Sequence, residues 1–154
     1  MDNNQIILHL LTTGIYNKSQ IINLNEINTI LRQIHFEVVE WYDKSVYILK
    51  NTSNKDIILG YDENENKEII NIFEKIVCKK EVKSDLIHSL VQNNWLEYVK
   101  NELILSKRCL VIFKNEILEF KGRYVLCCIC NFLVDGKEMH EYCKNIMDEK
   151  NCNY

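Results

Sequence analysis

The chain has 154 residues, a formal net charge of −3 and 47% hydrophobic side chains, a balance ordinary for a folded protein. The negative sum excludes a generally basic nucleic-acid coat and leaves room only for a local cationic patch. No apolar run nears the roughly 20 residues a membrane helix needs, and no secretory signal is recognisable, so a soluble, intracellular chain is expected.

In chain order, Ile6, Ile7, Leu10 and Leu11 share one face of a helix over residues 4–15, with Gly14 as its stop. A polar interval over residues 17–25 follows. Ile27, Ile30, Leu31 and Ile34 then repeat at helical spacing, with Asn25 as the expected cap. Next the period changes. Residues 36–42 and 46–49 are rich in β-branched and aromatic side chains around Asp43-Lys44, which reads as a hairpin. Helix, helix and hairpin is the order of a winged helix.

The plan then recurs. Asp62 and Glu63 open a helix whose stripe is Ile69, Ile70, Ile72, Phe73, Ile76 and Val77. A second helix carries Val82, Leu86, Leu90, Ile87 and Val91. It runs into Trp95-Leu96-Glu97-Tyr98-Val99, the pair Lys100-Asn101, and Glu102-Leu103-Ile104-Leu105, a second hairpin. Ser106 is placed to cap a helix over residues 106–118, with Leu110, Phe113 and Ile117 on one face. No Gly-, Ser- or Pro-rich linker divides these units, so they are expected to pack closely. Asn17-Lys18-Ser19 and Asn51-Thr52-Ser53 match the glycosylation sequon, but without a secretory route the match carries no meaning.

The chemistry gathers at the end of the chain. Cys127 and Cys130 form a Cys-x-x-Cys pair, and His140 and Cys143 a His-x-x-Cys pair, with nine residues between them. Two-residue gaps let both members of a pair turn onto one ion, and three thiolates with an imidazole suit Zn2+ rather than oxygen-seeking cations. Disulfides are the rival reading. An odd total of seven cysteines in a reducing compartment favours metal. Cys128 stands too close to Cys130 to chelate comfortably and reads as a bystander. Asp135-Gly136 supplies a tight turn for a small hairpin-like knob. Metal binding, worth roughly 10–16 kcal/mol in zinc peptides, would supply what so short a segment cannot bury.

Conventional enzyme motifs are missing: there is no Gly-rich phosphate loop, Gly-x-Ser-x-Gly elbow or His-Glu-x-x-His. His35 and His88 lack partners for nucleophile or base work, and His9 reads as a surface or satisfied residue rather than a ligand. Cys78 and Cys109 read as core thiols.

In order and spacing, several stretches resemble the non-structural maintenance of chromosomes element 1 family. They are Leu8-His9-Leu10-Leu11-Thr12-Thr13-Gly14, Val91-Gln92-Asn93-Asn94-Trp95-Leu96, and Leu105 through Arg108 to Leu110. Cys127-Cys128-Ile129-Cys130, Phe132-Leu133-Val134, Gly136, Met139-His140 and Cys143 complete the likeness. The resemblance implies an α+β, mainly helical fold: winged helix 1 over 1–60, winged helix 2 over 61–121, and a reduced variant RING knob over 122–154. It implies a nuclear DNA-repair role in the SMC-five/SMC-six complex, beside MAGE-like winged-helix and kleisin subunits, with no small-molecule substrate. Cys127, Cys130, His140 and Cys143 match the first, second, fifth and sixth ligands of a cross-braced RING. The third and fourth are missing, and downstream only Cys152 remains. One zinc ion is therefore expected.

Three functions follow from that resemblance. The first is a RING-type E3 ubiquitin ligase, which positions a ubiquitin-charged conjugating enzyme rather than reacting covalently. Ile129 stands where RINGs present an apolar contact to that enzyme; its other reading is packing of the knob. Loss of the second zinc loop leaves the enzymatic activity open. The second is a non-catalytic scaffold, with Trp41, Tyr42 and Trp95 on the wings consistent with partner contacts, although core is the favoured reading of Trp95. The third is weak DNA contact through Lys79, Lys80, Lys83, Lys107 and Arg108. Glu81 and Asp85 interrupt that cluster, and a solvated helix face is the blander explanation.

Overall fold

The computed structural model describes residues 2–17, 23–53, 58 and 60–152, with side chains described as far as residue 150. The described chain mixes helices and short antiparallel sheets, an α+β arrangement. Part of the first sequon and of the polar interval over residues 17–25 lies outside the described residues.

Helix α1, Asn3–Thr13, starts in a capping box between Asp2 and Gln5 and stops at Gly14, whose φ of 73° suits glycine. It buries Ile6 and Leu10 and leaves Leu8 and Leu11 exposed. Helix α2, Leu24–Arg32, is capped by Asn23, whose carboxamide accepts from the Glu26 N–H at 3.2 Å. Asn25 lies inside the helix, so the expected cap moves two residues upstream. Ile27 and Leu31 are fully buried, whereas Ile30 is exposed and Ile34 lies beyond the helix end.

Strand β1, Ile15–Asn17, was not anticipated; it joins β2, Phe36–Glu40, and β3, Val46–Asn51, in an antiparallel sheet of order β1-β3-β2. Val39 pairs with Ile48 and Tyr16 with Tyr47. Asn28, buried on α2, satisfies both the N–H (2.6 Å) and the carbonyl (3.2 Å) of Val38, so a side chain completes this edge strand.

The second unit begins with α3, Glu63–Val77, capped by Asp62 and Glu65, and continues in α4, Ile87–Gln92. Val82 and Leu86 precede α4, which is shorter than expected. Strands β4, Leu96–Val99, and β5, Glu102–Leu105, meet at Lys100 and Asn101, both at positive φ as a two-residue hairpin requires. The expected helix over 106–118 is two pieces, α5, Lys107–Ile112, and α6, Lys114–Glu119, broken at Phe113 (φ −103°). That ring is seated in the core, 5.3 Å from Phe73 and 5.7 Å from Trp95. The break in the helix accompanies the seating of this ring.

The last elements are β6, Tyr124–Leu126, β7, Leu133–Asp135, and α7, Glu141–Cys152. Tyr124 and Leu133 join the core built by α3, α4, α5 and α6. Gly122 lies so close to Val77 that an added Cβ would collide with its backbone. A small cluster of Trp41, Val46 and Ile48 receives Leu110, Val111 and Phe132, so the first hairpin packs on both α5 and the terminal segment.

Candidate metal centre

Six residues, 127–132, join β6 to β7. Asn131, at φ 63°, donates its N–H to the Cys127 carbonyl (3.0 Å), and the Cys127 N–H donates to Phe132 (2.9 Å). The bonds close a tight knuckle holding the first Cys pair. Asp135 ends β7 and Gly136 follows it at φ 66°, beyond the strand pair instead of between its strands, correcting the expected hairpin turn. His140 precedes α7 and Cys143 lies in its first turn, so a helix start holds the second pair.

The sulfurs of Cys127, Cys130 and Cys143 and a His140 ring nitrogen all lie within 4.8 Å of one another. His140 Nδ1 is 3.4 Å from Cys130 Sγ and 3.9 Å from Cys143 Sγ. A tetrahedral ion bound at about 2.3 Å to sulfur and about 2.0 Å to nitrogen would set those atoms about 3.5 Å apart. The residues present fit a metal ion. Nε2 of His140 is 2.9 Å from the Leu133 carbonyl, which can only accept, so Nε2 carries the hydrogen and Nδ1 keeps its lone pair toward the sulfurs.

Burial pushes the Cys127 thiol up, but N–H donation from the Cys130, His140 and Ile129 backbone more than offsets it and brings the thiol down to about 6. Burial raises Cys130. Burial and the neighbouring sulfurs raise Cys143 to about 12. The fold thus favours one thiolate, and ionising all three in this volume would require a cation.

Cys128 is exposed and outside the cluster. Its N–H donates to Glu138 at 3.1 Å. Cys109 is fully buried, its thiol pushed up by burial, while Cys78 is half-buried. Among the described residues no second group of metal-ligating geometry occurs. Ile129 is 47% exposed and does not pack the interior of the knob.

Sequence reasoning missed the aromatic cover of the centre. Tyr42, at the tip of the first hairpin, stacks on His140 with ring centroids 3.6 Å apart and planes 18° from parallel. Phe132 lies 5.3 Å from Trp41 and 6.2 Å from Tyr42, and Tyr142 lies 6.0 Å from Tyr42. Trp41 is buried and Tyr42 partly so, correcting their reading as wing residues free for a partner. No signal in the sequence marks a contact between residues so far apart.

The cationic residues part company. Lys79 and Lys80 lie in the turn after α3 instead of on a recognition helix, and Lys83 is within 3.5 Å of Glu81 on the surface. Lys107 Nζ is 3.5 Å from Ser45 Oγ. Arg108 turns inward: its guanidinium lies 3.9 Å over the Trp95 ring and donates to the Asn93 carbonyl at 2.8 Å. Burial lowers it to about 10. The same guanidinium lies against Gly14, and Asn94 Nδ2 donates to the Thr13 carbonyl at 3.2 Å. Three of the stretches behind the family resemblance therefore meet at one junction.

Fold and site together define an α+β chain of two helix-and-hairpin units closed by a knob able to bind a metal ion. No protein-family model matches the chain, and no curated protein matches it. Among solved structures it is similar to a chain of the "Nse1-Nse3-Nse4 complex", with a TM-score of 0.68 and 18% identity over 97% of this chain and 93% of that one. At that identity the likeness is one of fold.

Proposed function

We propose that the chain is a subunit of the SMC-five/SMC-six complex of the non-structural maintenance of chromosomes element 1 type, acting in DNA repair in the nucleus. It holds one Zn2+ on Cys127, Cys130, His140 and Cys143 and sits beside MAGE-like winged-helix and kleisin subunits. The observation that carries this reading is the fold likeness over 97% of the chain to a chain of the Nse1-Nse3-Nse4 complex. In this reading residues 1–60 and 61–121 are tandem winged helices and residues 122–154 a reduced variant RING. Zinc acts structurally, drawing the knuckle and the start of α7 onto one point. Co-expression with MAGE-like and kleisin partners should yield one co-eluting species with one zinc per chain. A metal-loaded chain that elutes apart from both partners rejects the subunit reading.

A second reading, RING-type ubiquitin transfer, is favoured by the exposure of the apolar side chain of Ile129 in the loop between Cys127 and Cys130. The protein would contribute position alone, holding a ubiquitin-charged conjugating enzyme so that its thioester is attacked. The assembled subunits should speed ubiquitin discharge, and Ile129→Ala should abolish the gain. No acceleration leaves the scaffold role. DNA contact rests on Lys79, Lys80, Lys83 and Lys107, since Arg108 is engaged inside the chain. Affinity of the assembled complex for DNA unchanged by Lys79→Glu with Lys83→Glu rejects that patch.

A further inference from the structure

Tyr42 belongs to the first hairpin, yet it covers an imidazole nearly one hundred residues away, and no part of the Cys and His spacing requires it. Its ring lies almost parallel to His140 at 3.6 Å, while Trp41 and Phe132 brace it at 5.1 and 6.2 Å. The Leu133 carbonyl fixes the imidazole at Nε2, and the phenol fixes the plane of the same ring. A metal ion held at Nδ1 would draw electrons from the imidazole and strengthen its attraction to an electron-rich ring face.

We propose that Tyr42 is a positioning residue of the metal centre, and that metal occupancy and docking of the first hairpin are coupled through its stack on His140. This rests on the reading of the four donors as a metal site. Coupling is reciprocal: if the docked hairpin strengthens metal binding by some factor, bound metal strengthens docking by the same factor. The knob is then not a self-sufficient finger. Its affinity is set partly by residue 42, and the first unit senses whether the ion is present.

The test uses the full chain loaded with zinc. Affinity is read by competition with a chromophoric chelator for wild type, Tyr42→Phe and Tyr42→Leu, with Tyr98→Leu as an exposed control. Tyr42→Leu keeps apolar bulk but no aromatic face and should bind zinc about tenfold more weakly, within the range of outer-sphere changes at metal sites. Tyr42→Phe and Tyr98→Leu should stay within about twofold of wild type. Hydrogen exchange over residues 41–46 should quicken on zinc removal in wild type, with a smaller difference in Tyr42→Leu. Zinc affinity unchanged in Tyr42→Leu, measured on protein whose circular dichroism shows it folded, overturns the proposal while leaving the metal site intact. Absence of stoichiometric zinc in wild type instead overturns the reading beneath it.

Discussion

Substituting Gly14 by alanine tests the junction where the two units meet. Gly14 sits at φ 73°, and an added Cβ would fall on the Arg108 guanidinium, which is itself pressed against Trp95. The left-handed backbone alone costs alanine about 1–2 kcal/mol. Displacing Arg108 also loosens its stack on Trp95, about 0.5–2 kcal/mol, and its charged hydrogen bond to Asn93, about 1.5–3 kcal/mol. Gly14→Ala should therefore lower stability by about 3–5 kcal/mol, allowing for partial relaxation. Gly136→Ala is the matched control, because φ is 66° there and nothing lies within 4 Å of the added carbon; only the backbone part, about 1–2 kcal/mol, applies. Urea unfolding followed by circular dichroism on zinc-loaded protein measures both. In the double variant Gly14→Ala with Arg108→Ala the clash is gone, so its loss should fall short of the sum of the singles. Equal losses at Gly14 and Gly136, or a strictly additive double variant, would refute the account.

Metal content, measured by mass spectrometry on native protein, should stay at one zinc per chain in Cys128→Ser and disappear in Cys127→Ser and His140→Ala. Asn28→Leu removes both partners of Val38 on a buried edge, so the urea midpoint should fall by the equivalent of about 2–3 kcal/mol. The Arg123 guanidinium holds the Asp135 carboxyl below its usual range, and Arg123 also binds Glu102 at 3.1 Å. A depressed carboxyl stabilises the fold above its unfolded value and stops doing so as pH falls through its folded value. The gap in stability between wild type and Asp135→Asn should thus be level near neutrality and close below about pH 4. A gap that widens on acidification would contradict the pairing.

The gathering of Cys127, Cys130, His140 and Cys143 was legible because both pairs carry their own spacing, and a knuckle and a helix start bring each pair round. Gly14 as a stop, Trp95 as core and Lys100-Asn101 as a hairpin turn were legible for the same local reason. What escaped the sequence was non-local. Asn23 and Asn25 are equally good caps on paper, and only the chain's path into α2 chooses between them. Periodicity at Leu110, Phe113 and Ile117 survives the break at Phe113, since seating that ring bends the axis without moving the stripe. Arg108 looked like a surface cation until the α1 terminus and Trp95 closed over it. Trp41 and Tyr42 looked available because their cover lies far along the chain, at Leu110, Val111 and Phe132 for the first and at Phe132, His140 and Tyr142 for the second.

The wide separation between Tyr42 and His140 bears on synthesis. Translation at about 5–20 residues per second leaves the hairpin tip waiting on the order of 5–20 seconds before its cover leaves the ribosome. During that interval the Tyr42 ring lacks its His140 cover and is open to solvent and to chaperones. Stalled nascent chains ending before residue 127 should be cut near the tip by limited proteolysis, and released full-length protein should resist; equal cutting of both would show that the cover protects nothing.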